Sequence, residues 1–160
     1  LISRAAPYEY ANETVRYVTP DKNTRDEGIW SRMGLVSEAE KVSSLAMLDD
    51  NFDVIAIDEI HMFNAIEANR IWSWIFKGKT VIVSGLDLDY KADIPPIIER
   101  LYQCKPDEII IKKAVCDNCK KYDAQYTRIL KDGEVITDGL PTIVPDDGTY
   151  EYQARCRRCF

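Results

Sequence analysis

No apolar run in this 160-residue sequence approaches the roughly 20 residues that a membrane-spanning helix requires. The opening residues, Leu1-Ile-Ser-Arg-Ala-Ala-Pro7, lack the extended apolar stretch of a secretory signal, so a reducing, cytoplasmic setting is expected. A cationic surplus is missing too. With 21 Lys and Arg against 27 Asp and Glu, the net charge is −6, which argues against stable nucleic-acid binding, because that requires a basic surface. A nucleotide remains admissible, since its phosphates need only a few local cations. Histidine is nearly absent, His61 being the only one. There is no internal repeat, no low-complexity tract and no Gly-x-x-x-x-Gly-Lys phosphate loop.

What is present is cysteine in a telling pattern. Four of the five cysteines fall in two Cys-x-x-Cys pairs, Cys116 with Cys119 and Cys156 with Cys159, leaving Cys104 over. A two-residue spacer lets two thiolates converge on one tetrahedral ion, and two such pairs complete a four-sulfur zinc site. Chance pairs or disulfides are the alternatives, but nothing else in the chain looks secreted, which favours zinc. Four thiolates leave no open position for a substrate, so the zinc is expected to be structural. The 36 residues between Cys119 and Cys156 exceed the loop of an ordinary zinc ribbon, so the site should clip a long loop onto a domain.

The length allows one core plus a small zinc-bound appendage. Residues 14–18 read as a strand ending near Pro20, and 19–34 as a loop. Residues 36–49 place Val36, Ala39, Val42, Leu45, Ala46 and Leu48 at helical spacing, with Ser37 and Glu40 resembling a capping box. The apolar runs 53–58 and 80–84 predict buried parallel strands. Between them a helix is expected over 64–77, with Asn64 as N-cap, Gly78 as stop and Ile66, Ile71, Trp74 and Ile75 on its apolar side. A further helix over 94–103 and a strand over 107–114 follow. Strands alternating with helices define an α/β domain with a mostly parallel sheet over residues 1–114. From 115 to 160, short alternating stretches at 124–130 and 134–136, joined by Lys131-Asp-Gly133, predict a hairpin-bearing β subdomain.

Asp58-Glu59 directly follows the buried run 54–57, and ligands of open α/β sheets bind beyond the carboxyl ends of strands. An aspartate there suits a magnesium ion on a nucleotide, and a neighbouring glutamate can accept a proton from an attacking hydroxyl. A solvated acidic turn is the plain alternative. The next strand exits through Ser84-Gly-Leu-Asp87, a second polar, glycine-bearing end at the same edge.

Asp58-Glu-Ile-His61 matches the DExH box of superfamily 2 helicases, but no arginine-rich helicase motif follows and the cysteine pairs would have no role. A second resemblance covers nearly the whole chain. Lys22-Asn-Thr-Arg25, Ser31-Arg-Met-Gly-Leu35, Asp58-Glu-Ile-His-Met-Phe63, Gly85-Leu-Asp-Leu-Asp-Tyr90, the two cysteine pairs and Ala124-Gln-Tyr-Thr-Arg128 between them resemble, in order, elements of the type II thymidine kinases. That resemblance implies a RecA-like, mostly parallel sheet and a zinc-ribbon-like subdomain carrying a lasso loop. It implies ATP-dependent phosphorylation of the 5′-hydroxyl of thymidine or deoxyuridine by a cytosolic homotetramer, using Mg-ATP and structural zinc. Glu59 carries over as the general base. Asp58 takes the magnesium side, with Ile60, His61, Arg25 and Arg32 toward ATP. The nucleoside pocket falls on Met62, Leu86, Tyr90, the backbone around Ile143, Val144, Pro145, Asp146, Asp147 and Gly148, and the lasso residue Tyr152, with Tyr150 as its substitute.

The sequence departs from that pattern in places. The family's first strand and phosphate loop are missing from these 160 residues, and the match places Leu1 just downstream of that loop, as expected of a fragment, a split protein or a decayed enzyme. Asn23 replaces an acidic residue, His61 a glutamine, Met62 an aromatic, and Ala92-Asp-Ile-Pro-Pro96 replaces an Arg-Gly-x-Pro-Phe-Gly segment. His61 is read as a hydrogen-bonding stand-in for glutamine.

Overall fold

A computed structural model describes residues 1–23, 28–30, 34, 36–141, 144 and 148–160. In chain order, helix α1 (Ile2–Tyr10) leads to β1 (Val15–Pro20), a hairpin of β2 (Gly28–Trp30) with β3 (Val36–Glu38), and β4 (Glu40–Val42). Then come β5 (Val54–Ile57), α2 (Ala68–Phe76), β6 (Thr80–Val83) and α3 (Pro96–Gln103). Strands β4-β1-β5-β6, in that spatial order and all parallel, form the central sheet. The fold is α/β, as the alternation of elements implied.

All four residues of β5 are fully buried, which explains why this segment is apolar without alternation. Side chains Ile55 and Ile57 face a core shared with Ile71 and Trp74 of α2 and Ile97 of α3. Ala56 faces the opposite core, where α1 contributes Ala5 and β1 contributes Tyr17. Helix α2 enters through a short 3-10 turn, Ala65–Glu67, whose Asn64 side chain accepts the Ile66 N–H, and Gly78 terminates it at φ +75°. Trp74 is fully buried against Phe52 at 5.4 Å and donates its indole N–H to Asp50 at 2.8 Å. Only half of the expected apolar side is right: Ile66 and Ile75 are exposed, because Glu67, Ala68, Ile71 and Trp74 form the inward stripe.

Three local expectations fail. Residues 36–49 are not a helix but β3, β4 and a 3-10 turn over Leu45–Met47. The i, i+3 spacing of Val42, Leu45 and Leu48 also suits extended chain plus one tight turn. The ladder from Glu40–Val42 to Val18–Pro20 and the cap of Ser44 on Ala46 N–H select that alternative. Within the expected loop 19–34, residues 28–30 instead pair with 36–38. The strand expected over 107–114 is reduced to β7 (Ala114–Val115), which pairs with β8 (Tyr122–Ala124), and residues 107–113 are exposed without regular structure.

The last strands, β9 (Tyr126–Lys131), β10 (Glu134–Ile136) and β11 (Glu151–Arg155), form an antiparallel sheet in the order β10-β9-β11. The β9–β10 turn puts Asp132 at φ +53° and Gly133 at φ +84°, the two left-handed residues that a two-residue hairpin requires.

Candidate functional site

At the carboxyl end of β5 the chain turns sharply. Glu59 adopts φ +49°, a left-handed conformation uncommon for a residue with a Cβ. The turn is pinned from both sides: Asp58 N–H donates to Val18 O and Ile60 N–H to Ser84 O, each at 2.9 Å. The Ser84 hydroxyl donates to the Asp58 carboxylate. This brings the β5 exit, with Asp58 and Glu59, against the β6 exit, with Ser84, Gly85 and Leu86. Gly85 is favoured by closeness rather than by φ. A Cβ there would stand 3.0 Å from His61 Nδ1 and from a methyl of Ile60.

His61 lies in the 3-10 turn Ile60–Met62 that follows, its side chain only 10 % exposed. Its Nδ1 accepts the Leu86 N–H at 3.2 Å. Burial pushes its pKa down to about 4, against the opposing pull of Asp58. The ring is therefore neutral at pH 7, with its lone pair on Nδ1 engaged by Leu86. The Glu59 carboxylate, 3.4 Å from that nitrogen, faces a neutral ring rather than a cation. Such a ring serves as a hydrogen-bond acceptor, the role expected of a glutamine stand-in. Because the folded pKa lies below the ordinary 6.5, the unfolded chain binds the extra proton. Stability from His61 is thus complete above pH 6.5 and is lost as pH falls toward 4, by about 1–3 kcal/mol. Urea midpoints between pH 7 and 4.5 should fall for this chain and fall less for His61→Gln.

Tyr90 is 5 % exposed and packs with Ile129, Val144, Leu140, Tyr150 and Tyr152. Its hydroxyl donates to Leu140 O at 2.7 Å and accepts Leu140 N–H at 3.0 Å. The loop holding Tyr90 is shaped by buried Asp89, whose carboxylate accepts the backbone N–H of Lys91 and Asp93. Tyr152, on β11, donates to Val144 O at 3.4 Å. Three expected pocket residues, Tyr90, Val144 and Tyr152, thus gather in one cluster, while Leu86, 42 % exposed, and Met62 lie by the strand exits. Gly148 is exposed at φ +84°. Arg25, Arg32, Ile143, Pro145, Asp146 and Asp147 lie outside the described residues. Sequence reading missed Leu140, since a backbone partner leaves no side-chain signature. It also gave no role to Ser84, whose position at the neighbouring strand exit was the available clue.

The sulfurs of Cys116, Cys119, Cys156 and Cys159 all lie within 4.8 Å of one another. Tetrahedral zinc with bonds of about 2.3 Å implies sulfur–sulfur edges of about 3.8 Å, and Cys119 to Cys156 is 3.7 Å. Cys116 is drawn down to about 6, first by the Cys119 backbone N–H. Cys119 is lowered by the Lys121 N–H but ends near 11, because burial and the three neighbouring sulfurs oppose its ionisation. Four thiols this close cannot ionise together without a cation, so the donor set fits zinc. The two knuckles are joined by backbone. Asp117 N–H donates to Ala154 O at 2.8 Å, and the Asp117 carboxylate accepts the Ala154 N–H at 2.6 Å. Cys104 stands apart, its thiol raised by burial. A shallow polar depression lined by Asn12, Asp53, Lys77 and Thr80 lies at the opposite, amino-terminal ends of β5 and β6, away from the acidic pair.

A parallel α/β sheet whose polar groups converge at adjacent strand exits, joined to a β unit whose four clustered cysteines could hold a metal ion, defines the class of this protein as α/β with a four-cysteine appendage. Comparison with known proteins names it more closely. The family model for thymidine kinase matches residues 1–160. The thymidine kinase of Chloroflexus aurantiacus strain J-10-fl is 33% identical over 169 residues, covering 100% of this chain and 86% of its own. That of Roseiflexus sp. strain RS-1 is 31% identical with the same coverage, and that of Mycoplasma mobile is 31% identical over 99% of this chain and 78% of its own. The chain belongs to the thymidine kinase family, and its function is phosphorylation of thymidine. Nothing in the comparisons supports the helicase alternative.

Proposed function

We propose that Glu59 removes the proton from the 5′-hydroxyl of thymidine. The freed oxygen attacks the γ-phosphorus of ATP, the bond to the β–γ bridging oxygen breaks, and ADP leaves. The observation that carries this reading is the left-handed Glu59, fixed beside Asp58 by hydrogen bonds from two neighbouring strands. A strained conformation held this firmly supports a working role for the carboxylate. Asp58, oriented by Ser84, would take the magnesium side, with Ile60, His61, Arg25 and Arg32 toward the phosphates. Met62, Leu86, Tyr90, Tyr152 and the backbone over 143–148 would bound the nucleoside.

In the same reading residues 1–114 form the nucleotide domain and 115–160 the zinc-bound lasso unit, in a cytosolic homotetramer. Zinc, held by Cys116, Cys119, Cys156 and Cys159, supplies folding energy and no catalytic step. No helix among the described residues is long and apolar enough to cross a membrane.

Limited proteolysis tests the nucleoside side. Thymidine, and not RNA or DNA, is expected to protect residues 140–152 from cleavage. Salt-sensitive oligonucleotide binding without nucleoside protection would overturn the reading. Tyr90→Phe leaves both backbone groups of Leu140 without their phenol partner, at a cost of about 1–3 kcal/mol. Cleavage of the same segment should accelerate before global unfolding changes; an unaltered cleavage rate would show that Tyr90 does not hold the loop.

A further inference from the structure

Residues 84–95, between β6 and α3, form neither helix nor strand, yet a short part of them is tightly organised. Asp89, 8 % exposed, accepts the N–H of Lys91 at 2.8 Å and of Asp93 at 2.9 Å on one carboxylate oxygen. Its own N–H donates to Asp93 O at 2.8 Å, and Ala92 N–H returns to Asp89 O at 3.1 Å. This closed turn holds Ala92 at φ +66°, a left-handed conformation that is costly for a residue with a Cβ. Such a conformation persists only where the surroundings over-determine it, and here the buried carboxylate does so. What the turn achieves is the placement of two consecutive side chains, Tyr90 and Lys91.

Both side chains reach the same short stretch after β10. Tyr90 takes the two backbone groups of Leu140, and Lys91 pairs with Asp138. Asp138 is itself set by a local turn: its carboxylate accepts the Gly139 N–H at 2.8 Å, with Gly139 at φ +88°. Two turns far apart in sequence, each organised by an aspartate, are thus docked at adjacent points. The Lys91 ammonium also lies over the Tyr90 ring, 5.6 Å from its centroid, so one cation serves both the ring and the carboxylate. Among the described residues no strand pairs with the stretch between β10 and β11. Yet Leu140, Val144 and Tyr150 of that stretch pack with Tyr90 and Tyr152. An ion pair whose side chains are 36% and 82% exposed adds little to global stability. Its effect falls on the local equilibrium of the stretch that it fastens.

We propose that Asp89 and Lys91 are positioning residues for the nucleoside: they dock residues 138–140, so that the cluster of Tyr90, Val144 and Tyr152 is assembled before thymidine arrives. The inference rests on the reading of that cluster as a boundary of the nucleoside. A protein whose binding-competent arrangement is populated for a fraction of the time binds with its affinity reduced by that fraction. Docking raises the fraction, and neither side chain has to touch the ligand. Because the Lys91–Asp138 pair is exposed, salt screens it. Thymidine, itself uncharged, should therefore bind more weakly as ionic strength rises. Direct contact between Lys91 and the ligand would give a different pattern, since reversing both charges of the pair would not then restore binding.

Calorimetric titration of thymidine into the zinc-loaded 160-residue chain, at about 0.05 M and about 0.5 M potassium chloride, tests this. Lys91→Glu and Asp138→Lys are each expected to weaken binding about three- to tenfold at low salt. The double reversal, Lys91→Glu with Asp138→Lys, should recover most of that loss. Raising the salt should weaken binding by the parent chain and bring it toward the single variants. Asp89→Ala should weaken binding at both salt concentrations, and Asp89→Asn, which keeps an oxygen for the two N–H groups, should recover most of it. In the ligand-free proteins, Gly139 and Leu140 amides should exchange faster in the single reversals and in Asp89→Ala. Exchange in β1 and β5 should not change, which separates loss of docking from loss of the fold. Parent-like binding in Asp89→Ala or in both single reversals would overturn the proposal while leaving the nucleoside reading intact. A double reversal as weak as the singles would overturn it too, by placing Lys91 on the ligand. No thymidine binding by the parent chain would overturn the nucleoside reading of the cluster, and this inference with it.

Discussion

Glu59→Gln, in a chain supplied with a phosphate loop, is expected to cut thymidine turnover by about 10²–10⁴-fold, the usual worth of a positioned general base. Thymidine binding should be nearly unchanged. The amide keeps the size and left-handed turn of Glu59 but cannot take the proton, so the loss should appear in kcat with little change in KM. Asp58→Asn should behave differently. Its carboxylate is held by Ser84 at the strand exit, and its loss should raise the magnesium and ATP concentrations needed for half-maximal rate. Residues 1–160 alone should turn over slowly even with Glu59 intact, because they contain no phosphate loop to hold the β and γ phosphates. Steady-state kinetics on the three proteins checks these outcomes. Undiminished turnover in Glu59→Gln would place the base elsewhere.

Cys156→Ser should have the largest structural effect. Cys156 is 5 % exposed and joins two knuckles whose sulfurs lie within 4.8 Å. The intact chain is expected to bind one zinc per protomer, and the variant to lose most of it, with affinity falling by orders of magnitude. The damage should be local. Strand β11 precedes Cys156 directly and is bound to β9, so residues 120–155 should lose exchange protection while β1 and β5, buried elsewhere, keep theirs. Zinc content by mass spectrometry under native conditions is the readout. Unchanged zinc would refute the four-sulfur assignment.

Strong local patterns made much of this molecule legible. The buried strands 54–57 and 80–83 show as uninterrupted apolar runs, and the hairpin at Asp132-Gly133 shows in two residues that tolerate positive φ. The clustering of Cys116, Cys119, Cys156 and Cys159 shows in spacing alone. Residues 36–49 misled because one apolar spacing serves both a helix and a strand followed by a tight turn. The decision rested on a ladder to β1, about 22 residues away in sequence, that no local window contains. Residues 107–113 misled for the opposite reason: they have strand-like composition, but a strand needs a neighbour, and none pairs with them among the described residues. In the site, Asp58 and Glu59 were visible from their place after a buried run. The Ser84 and Leu140 contacts were not, since each depends on how distant segments meet.

The phenol of Tyr90 meets both polar groups of one residue, Leu140, and so imitates for a single step what a neighbouring strand does along its whole length. A strap fastened by a ladder must unzip cooperatively. One fastened by a button is released when a single side chain rotates and water takes over the two exposed backbone groups. The release of Leu140 from Tyr90 would then follow one rotamer change and stay fast even in a protein whose sheet unfolds slowly, while the Lys91–Asp138 ion pair and the Tyr152–Val144 hydrogen bond still hold their own points.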